Sequence, residues 1–217
     1  MTDNTTFLEL FDGIAEALAD TGLVTVPNAL PQHHCEALRQ CFDHAGASFH
    51  PAAIGRQQAV QHQRSVRGDE IRWIADDAQP GPAERAWLDF TEQLRRHLNQ
   101  RLFLGLFSYE SHFAHYAPGT CYQRHMDAFA GDANRILSTV LYLNAQWGAE
   151  DGGELVIYPA RDATQPVARI TPAAGTLVVF LSERFPHEVL SSHKDRYSIA
   201  GWYRRNTSSA VRSDPPR

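Results

Sequence analysis

The feature that most constrains this chain is a change of period near residue 103. Apolar residues recur at helical spacing before it and at strand spacing after it. Behind the polar cluster Asn4-Thr5-Thr6, which offers N-cap oxygens, Phe7, Leu10, Phe11, Ile14 and Leu18 predict a first helix over about 6–20. Leu23–Val26 reads as a strand. A second helix is expected over 31–45, burying Leu38, Cys41 and Phe42, and a third over 82–102, presenting Trp87, Phe90, Leu94 and Leu98. Short β-type segments then follow at 109–116, 136–144, 154–158, 175–182, 187–190 and 197–203, separated by turn residues. Helices first and strands afterwards predict a mainly β fold with N-terminal α structure: a jelly-roll barrel buttressed on one face by helices, not alternating β-α units.

At 217 residues with 43% hydrophobic content, the chain has ample material for one core. A single domain is expected over 1–206, with helical support in 1–105 and the β-barrel in 106–206, followed by a disordered tail at 207–217. The stretch 50–68 has no sustained period, is polar and carries Gly55. It reads as a long loop of the kind that is more often functional than accidental. A formal net charge of -5 disfavours nucleic acid as a partner, because phosphate neutralisation needs a basic footprint. Cys35, Cys41 and Cys121 are odd in number and lack Cys-x-x-Cys spacing, so they read as reduced thiols of a cytoplasmic protein. No basic-then-apolar leader opens the sequence and the longest apolar run, 177–181, is far too short for a bilayer. No membrane partner is expected.

The chemistry lies in the order of residues in the second half. His125-Met126-Asp127 alternates so that its imidazole and carboxylate share one side of a strand while Met126 faces the other. His-x-Asp alone is weak evidence: 11 His and 14 Asp give roughly 0.7 matches by chance. The chain holds a second, His193-Lys194-Asp195, but in a polar stretch that reads as a solvated turn. Further partners distinguish the first. His187 follows the apolar strand 176–181 after a short turn and supplies a distant third ligand. Two imidazoles and one carboxylate on one face of Fe(II) leave positions open for a co-substrate and dioxygen. Arg196, nine residues on, opens the last strand and offers a planar fork for a carboxylate, to which Tyr142 adds a hydrogen bond. A zinc hydrolase has no use for such a pocket. Taken singly, His187 and Tyr142 also read as ordinary core residues and Arg196 as a surface strand residue.

From about Leu23 to Arg205 the chain resembles the Fe(II)- and 2-oxoglutarate-dependent dioxygenases, specifically the prolyl hydroxylases of the oxygen-sensing type and their bacterial relatives. The resemblance rests on Arg67-Gly68-Asp69-Glu70-Ile71-Arg72-Trp73, His115-Tyr116-Ala117-Pro118-Gly119, Tyr122-Gln123-Arg124-His125-Met126-Asp127, Tyr142-Leu143-Asn144, Gly152-Gly153-Glu154-Leu155, Pro186-His187-Glu188-Val189 and Arg196-Tyr197-Ser198 with Gly201-Trp202-Tyr203. It implies a double-stranded β-helix in which His125, Asp127 and His187 ligate iron, while Arg196 and Tyr142 hold the distal carboxylate of 2-oxoglutarate. Tyr116, Ser198 and Trp202 match co-substrate pocket positions. Asp69, Arg135 and Trp202 match positions at the substrate rim. Ala200 departs from the animal oxygen sensors, which carry a hydroxyl there, so one co-substrate hydrogen bond is expected to be missing.

The implied reaction uses dioxygen, with ascorbate as reductant, to hydroxylate a prolyl residue in a protein. The bacterial resemblance points to elongation factor Tu as that partner. The loop 50–68 is expected to close over an extended peptide, anchored by an Asp69–Arg135 pair. A hydroxylase of a free amino acid or other small molecule shares the iron site, and a non-catalytic jelly-roll binding module shares the fold. These are the alternatives.

Overall fold

The computed structural model describes residues 2–44, 49–52, 66–74, 80–128, 134–160 and 164–206. Among these residues three α-helices and eleven strands follow in the order α1 (Thr2–Asp20), β1 (Leu23–Val26), α2 (Gln32–His44), β2 (His50–Pro51), β3 (Glu70–Ile74), α3 (Pro82–Leu102), β4 (Leu106–Tyr116), β5 (Tyr122–His125), β6 (Arg135–Tyr142), β7 (Leu155–Ile157), β8 (Ala168–Ile170), β9 (Leu177–Leu181), β10 (His187–Val189) and β11 (Arg196–Arg205). Helix α1 begins four residues earlier than expected, because Asn and Thr are only mildly unfavourable within a helix. Pro82 opens α3, where its missing N–H costs nothing, and Glu84 accepts a 2.8 Å hydrogen bond from the Gly81 N–H.

Two antiparallel sheets face each other. The major sheet runs β1-β9-β6-β11-β4-β3-β2 and the minor one β5-β10-β7-β8. One face of the major sheet packs on the helices, with Phe113, Leu137, Leu141, Val179, Ile199 and Tyr203 meeting Phe11, Ile14, Trp87, Phe90, Leu94 and Leu98. The opposite face meets the minor sheet through a second core that includes Ala114, Tyr116, Tyr142, Leu155, Ile157, Val178 and Phe180. Period-2 alternation sorts each central strand between these two cores, so burial on both faces fixes its register. This is the expected barrel with helices against one wall.

The expected division at residue 105 does not hold for the sheet. Strands β1, β2 and β3, all from the first half, extend both edges of the major sheet. Strands β2, β3 and β8 were not legible as strands. In β3 the side turned towards the helices carries Glu70 and Arg72, and only Ile74 joins the helix-side core. Arg72 lies 4.5 Å over the Phe113 ring and pairs with Glu84 of α3 at 2.7 Å, which masks the alternation. Only the ends of the predicted 50–68 loop are described, and its 53–65 portion lies outside the described residues. The same holds for the predicted tail 207–217.

Candidate active site

Register builds the pocket wall row by row. Across the inner face of the major sheet, Arg196 of β11 lies opposite Tyr116 of β4. The next row places Ser198 between Ala114 and Tyr142, the following one Ala200 between His112 and Val140, and the last Trp202 between Glu110 and Ser138. Most of these side chains, with Tyr122, His125, Asp127, His187 and Arg135, line one cavity of about 130 Å³.

At its mouth the minor sheet delivers the metal-binding set. β5 and β10 pair His125 directly with His187. β5 ends at His125, so Asp127 lies in the bend just beyond the strand and not on it as expected, although the two side chains still converge. His125 Nε2 is 3.7 Å from one Asp127 oxygen and His187 Nε2 3.6 Å from the other, and the three ligand atoms lie within 4.8 Å of one another. Each imidazole has its Nδ1 against a backbone carbonyl, Gln123 at 2.8 Å and Phe185 at 3.0 Å. A carbonyl only accepts, so the Nδ1 atoms carry the protons and both Nε2 lone pairs point at the shared space. Burial, and then His187, push the His125 pKa down to about 3. Burial pushes Asp127 up, but His187, His125 and a hydrogen bond from Ser138 outweigh it and hold the carboxyl at about 2. Two imidazole Nε2 atoms and one carboxylate, converging within 4.8 Å, are the donor set that a divalent iron accepts.

Arg196 marks the closed end, only 1% exposed. Its Nε donates to the Gly153 carbonyl at 2.8 Å and Nη1 to Ser198 Oγ at 3.3 Å. Gly153 has φ +72°, and a Cβ there would come within 2.9 Å of Ser192 Cβ and 3.2 Å of Arg196 Cδ, so only glycine lets its backbone cradle the guanidinium. The Arg196 guanidinium carbon lies 5.1 Å from the ring centres of both Tyr116 and Tyr142. The Tyr142 hydroxyl is buried and has no hydrogen-bond partner among the described residues. Burial raises its pKa to about 12 against the opposing Arg196 charge, so it is a phenol and a donor. A buried cation beside an orphaned donor fits a carboxylate acceptor such as that of 2-oxoglutarate. At the Ala200 row the wall presents Ala200 and Val140 with the His112 imidazole beside them, and no hydroxyl.

The expected Asp69–Arg135 pair is not formed. Asp69, buried, takes two hydrogen bonds from Arg67, at 2.8 and 3.0 Å, and Arg135 pairs with Glu110 at 2.9 Å while lying 3.7 Å over the Trp202 ring. Asp69 found its partner two residues away in the segment that leads into β3, and Arg135 of β6 found its partner on β4, across β11. The second His-x-Asp is the turn it looked like: Asp195 accepts from His115 at 2.7 Å and Lys194 pairs with Asp151 at 2.8 Å. Sequence reasoning missed Ser138, which donates to Asp127, and Arg67, whose guanidinium lies 4.8 Å over a Tyr122 ring that itself stacks on His125 at 3.6 Å. A strand serine gives no signal; Arg67 lay inside the recognised motif and could have been found there.

Comparison with known proteins agrees with this geometry. Residues 111–204 match the model of the 2OG-Fe(II) oxygenase superfamily. The chain is 30% identical over 165 residues to the prolyl hydroxylase EGLN3 of Mus musculus, covering 74% of this chain and 68% of that one. A prolyl-4-hydroxylase from Pseudomonas putida superposes with a TM-score of 0.79 at 38% identity, covering 90% of this chain and 98% of its own. A Trichoplax adhaerens prolyl hydroxylase, solved with a peptide fragment of the hypoxia inducible factor oxygen degradation domain, gives a TM-score of 0.82 at 27% identity, covering 94% and 93%. The chain belongs to the 2OG-Fe(II) oxygenase superfamily. It is a prolyl hydroxylase-like enzyme of the double-stranded β-helix fold that works with Fe(II), 2-oxoglutarate and dioxygen.

Proposed function

We propose that the chain hydroxylates a prolyl residue within a protein, with elongation factor Tu as the partner to test first and ascorbate as the reductant that keeps the iron ferrous. The observation that carries this reading is one cavity lined by the His125–Asp127–His187 set and by buried Arg196, with the buried Tyr142 ring 5.1 Å from that guanidinium, in a chain whose relatives are prolyl hydroxylases. The bound Fe(II) and 2-oxoglutarate supply the oxidation, which puts one oxygen atom of dioxygen on the substrate and releases succinate and carbon dioxide.

The chain supplies orientation. His125, Asp127 and His187 would hold the metal through two imidazoles and one carboxylate. Arg196 and Tyr142 would bind the remote carboxylate, and the Gly153 carbonyl, which accepts from Arg196 Nε, fixes the guanidinium that would orient the co-substrate. Tyr116, buried and protonated, and Ser198 complete the polar floor, while Val140, Ala114 and Leu155 keep water from it.

The reading is tested with purified protein, Fe(II), ascorbate and 2-oxoglutarate, supplied in turn with elongation factor Tu, a bacterial lysate and free amino acids. Succinate release stimulated by protein, together with a gain of one oxygen at a proline in the mass spectrum, is the expected result. Stimulation by a free amino acid alone would transfer the assignment to a small-molecule hydroxylase.

A further inference from the structure

Among the four tryptophans of the sequence, Trp87 and Trp202 are buried, whereas Trp73 is 48% exposed. Its place in the sheet gives that exposure a meaning. Trp73 of β3 lies opposite His112 of β4, which lies opposite Ala200 of β11, which lies opposite Val140 of β6. Residues directly opposite one another share a face. His112, Ala200 and Val140 all line the active-site cavity, so Trp73 is the next side chain in the same row, one strand further out.

The rings continue one another. Trp73 meets His112 edge-on at 5.1 Å, His112 lies 5.5 Å from Trp202, and the two indoles are 6.4 Å apart. Arg135 covers Trp202 from 3.7 Å and is held there by Glu110. Trp202 is thus already dressed and only 8% exposed, which among the described residues leaves Trp73 as an aromatic surface beside the cavity that is open to a visitor. Burial keeps His112 neutral, with its pKa down to about 4, so the ledge between the indoles carries no charge near pH 7. An indole left half in water beside an active site is unused contact area of the kind that binding sites exploit.

We infer that Trp73, with His112 behind it, is the docking platform for the polypeptide flanking the target proline, and that it takes an apolar or prolyl side chain of an extended segment. The platform is continuous with the cavity, and a chain passing over the metal set towards β3 must cross it. Aliphatic and pyrrolidine C–H groups pack well on the face of an indole, whereas a free amino acid reaching only the metal would leave Trp73 untouched. The inference rests on the prolyl hydroxylase reading and adds to it a subsite outside the reaction centre.

The test starts with a bacterial lysate treated with the wild-type protein, Fe(II), ascorbate and 2-oxoglutarate, and read by mass spectrometry for hydroxylated prolyl residues. The protein carrying the strongest site is then purified as the substrate probe for Trp73→Ala and Trp73→Phe. The expected result is a substrate KM about tenfold higher in Trp73→Ala, the size of one good aromatic contact, with kcat changed far less. Trp73→Phe should recover most of the loss, and the midpoint of a 2-oxoglutarate titration should stay where it is in both variants. A substrate KM within twofold of wild type in Trp73→Ala overturns the platform and leaves the hydroxylase reading standing. A loss of kcat and 2-oxoglutarate binding in both variants also overturns it, by showing that Trp73 serves the fold. A lysate with no hydroxylated proline overturns the platform and the reading beneath it together.

Discussion

Ser138 Oγ donates a 2.6 Å hydrogen bond to Asp127 Oδ2, and Ser182 Oγ stands 2.9 Å behind it. Since the Ser138 proton is committed to the carboxylate, Ser182 donates to Ser138, and a buried two-serine relay from β6 and the end of β9 sets the angle of the one anionic ligand. Such outer partners typically change metal affinity by about 10- to 100-fold. Ser138→Ala should therefore weaken metal binding by that order while leaving the fold intact, as measured by titrating Co(II) or Fe(II) under argon. An affinity within twofold of wild type would show that the carboxylate needs no such guide.

Asp127→Ala should abolish turnover, because two neutral imidazoles alone hold a divalent cation poorly. His193→Ala should retain nearly all activity. That histidine is exposed, and its triplet is spent on Lys194–Asp151 and Asp195–His115 pairs away from the cavity. Succinate release by the two variants decides the matter, and the assignment fails if Asp127→Ala is active or His193→Ala is dead.

Arg196→Ala should weaken 2-oxoglutarate binding by about 2 to 5 kcal/mol, the usual cost of leaving a buried charge without its partner. Metal affinity should survive, because Arg196 is at the far end of the cavity from the metal set. Calorimetric titration of 2-oxoglutarate into the metal-loaded variant gives the number, and an unchanged dissociation constant would remove Arg196 from the pocket.

The ligand set was legible because its spacing is local and chemical: His125 and Asp127 are two residues apart, His187 follows a strongly apolar strand, and Arg196 opens the next one. Helix α3 was legible because a long periodic segment declares itself, and strand β1 because Leu23–Val26 is a short apolar and β-branched run between Gly22 and Pro27. What stayed hidden was decided by competition in space. Asp69 and Arg135 look complementary in the sequence, yet Arg67, two residues before Asp69, reaches it first, and Glu110, 25 residues before Arg135, captures that arginine; only the second contest is hidden from residue order. Ser138 was invisible for a related reason: a strand serine becomes a guide only when a bend after another strand brings Asp127 to it. Strand β3 was obscured because two of its three helix-facing residues, Glu70 and Arg72, are polar, Arg72 being held by Glu84, and only Ile74 is buried there as an apolar side chain.

His112 offers a test of electrostatics away from the metal. Burial, and then the Arg67 charge, push its pKa from the ordinary 6.5 to about 4, with Asp69 and the Phe113 carbonyl opposing and Arg135 assisting. The folded protein therefore leaves this imidazole neutral where the unfolded chain has already taken up a proton. Stability is unaffected by His112 above pH 6.5, falls as the pH drops from about 6.5 to about 4, and levels off below that, for a full cost of about 3 kcal/mol. His112→Met keeps an adaptable apolar filler between Trp73 and Trp202 but removes the titration. Unfolding free energies in denaturant at pH 7.5 and pH 5, measured without metal, should show a smaller drop in His112→Met than in wild type. The difference isolates His112 from His125, which titrates in both proteins. Equal drops in the two proteins would mean that His112 is solvated on a path the static structure does not show.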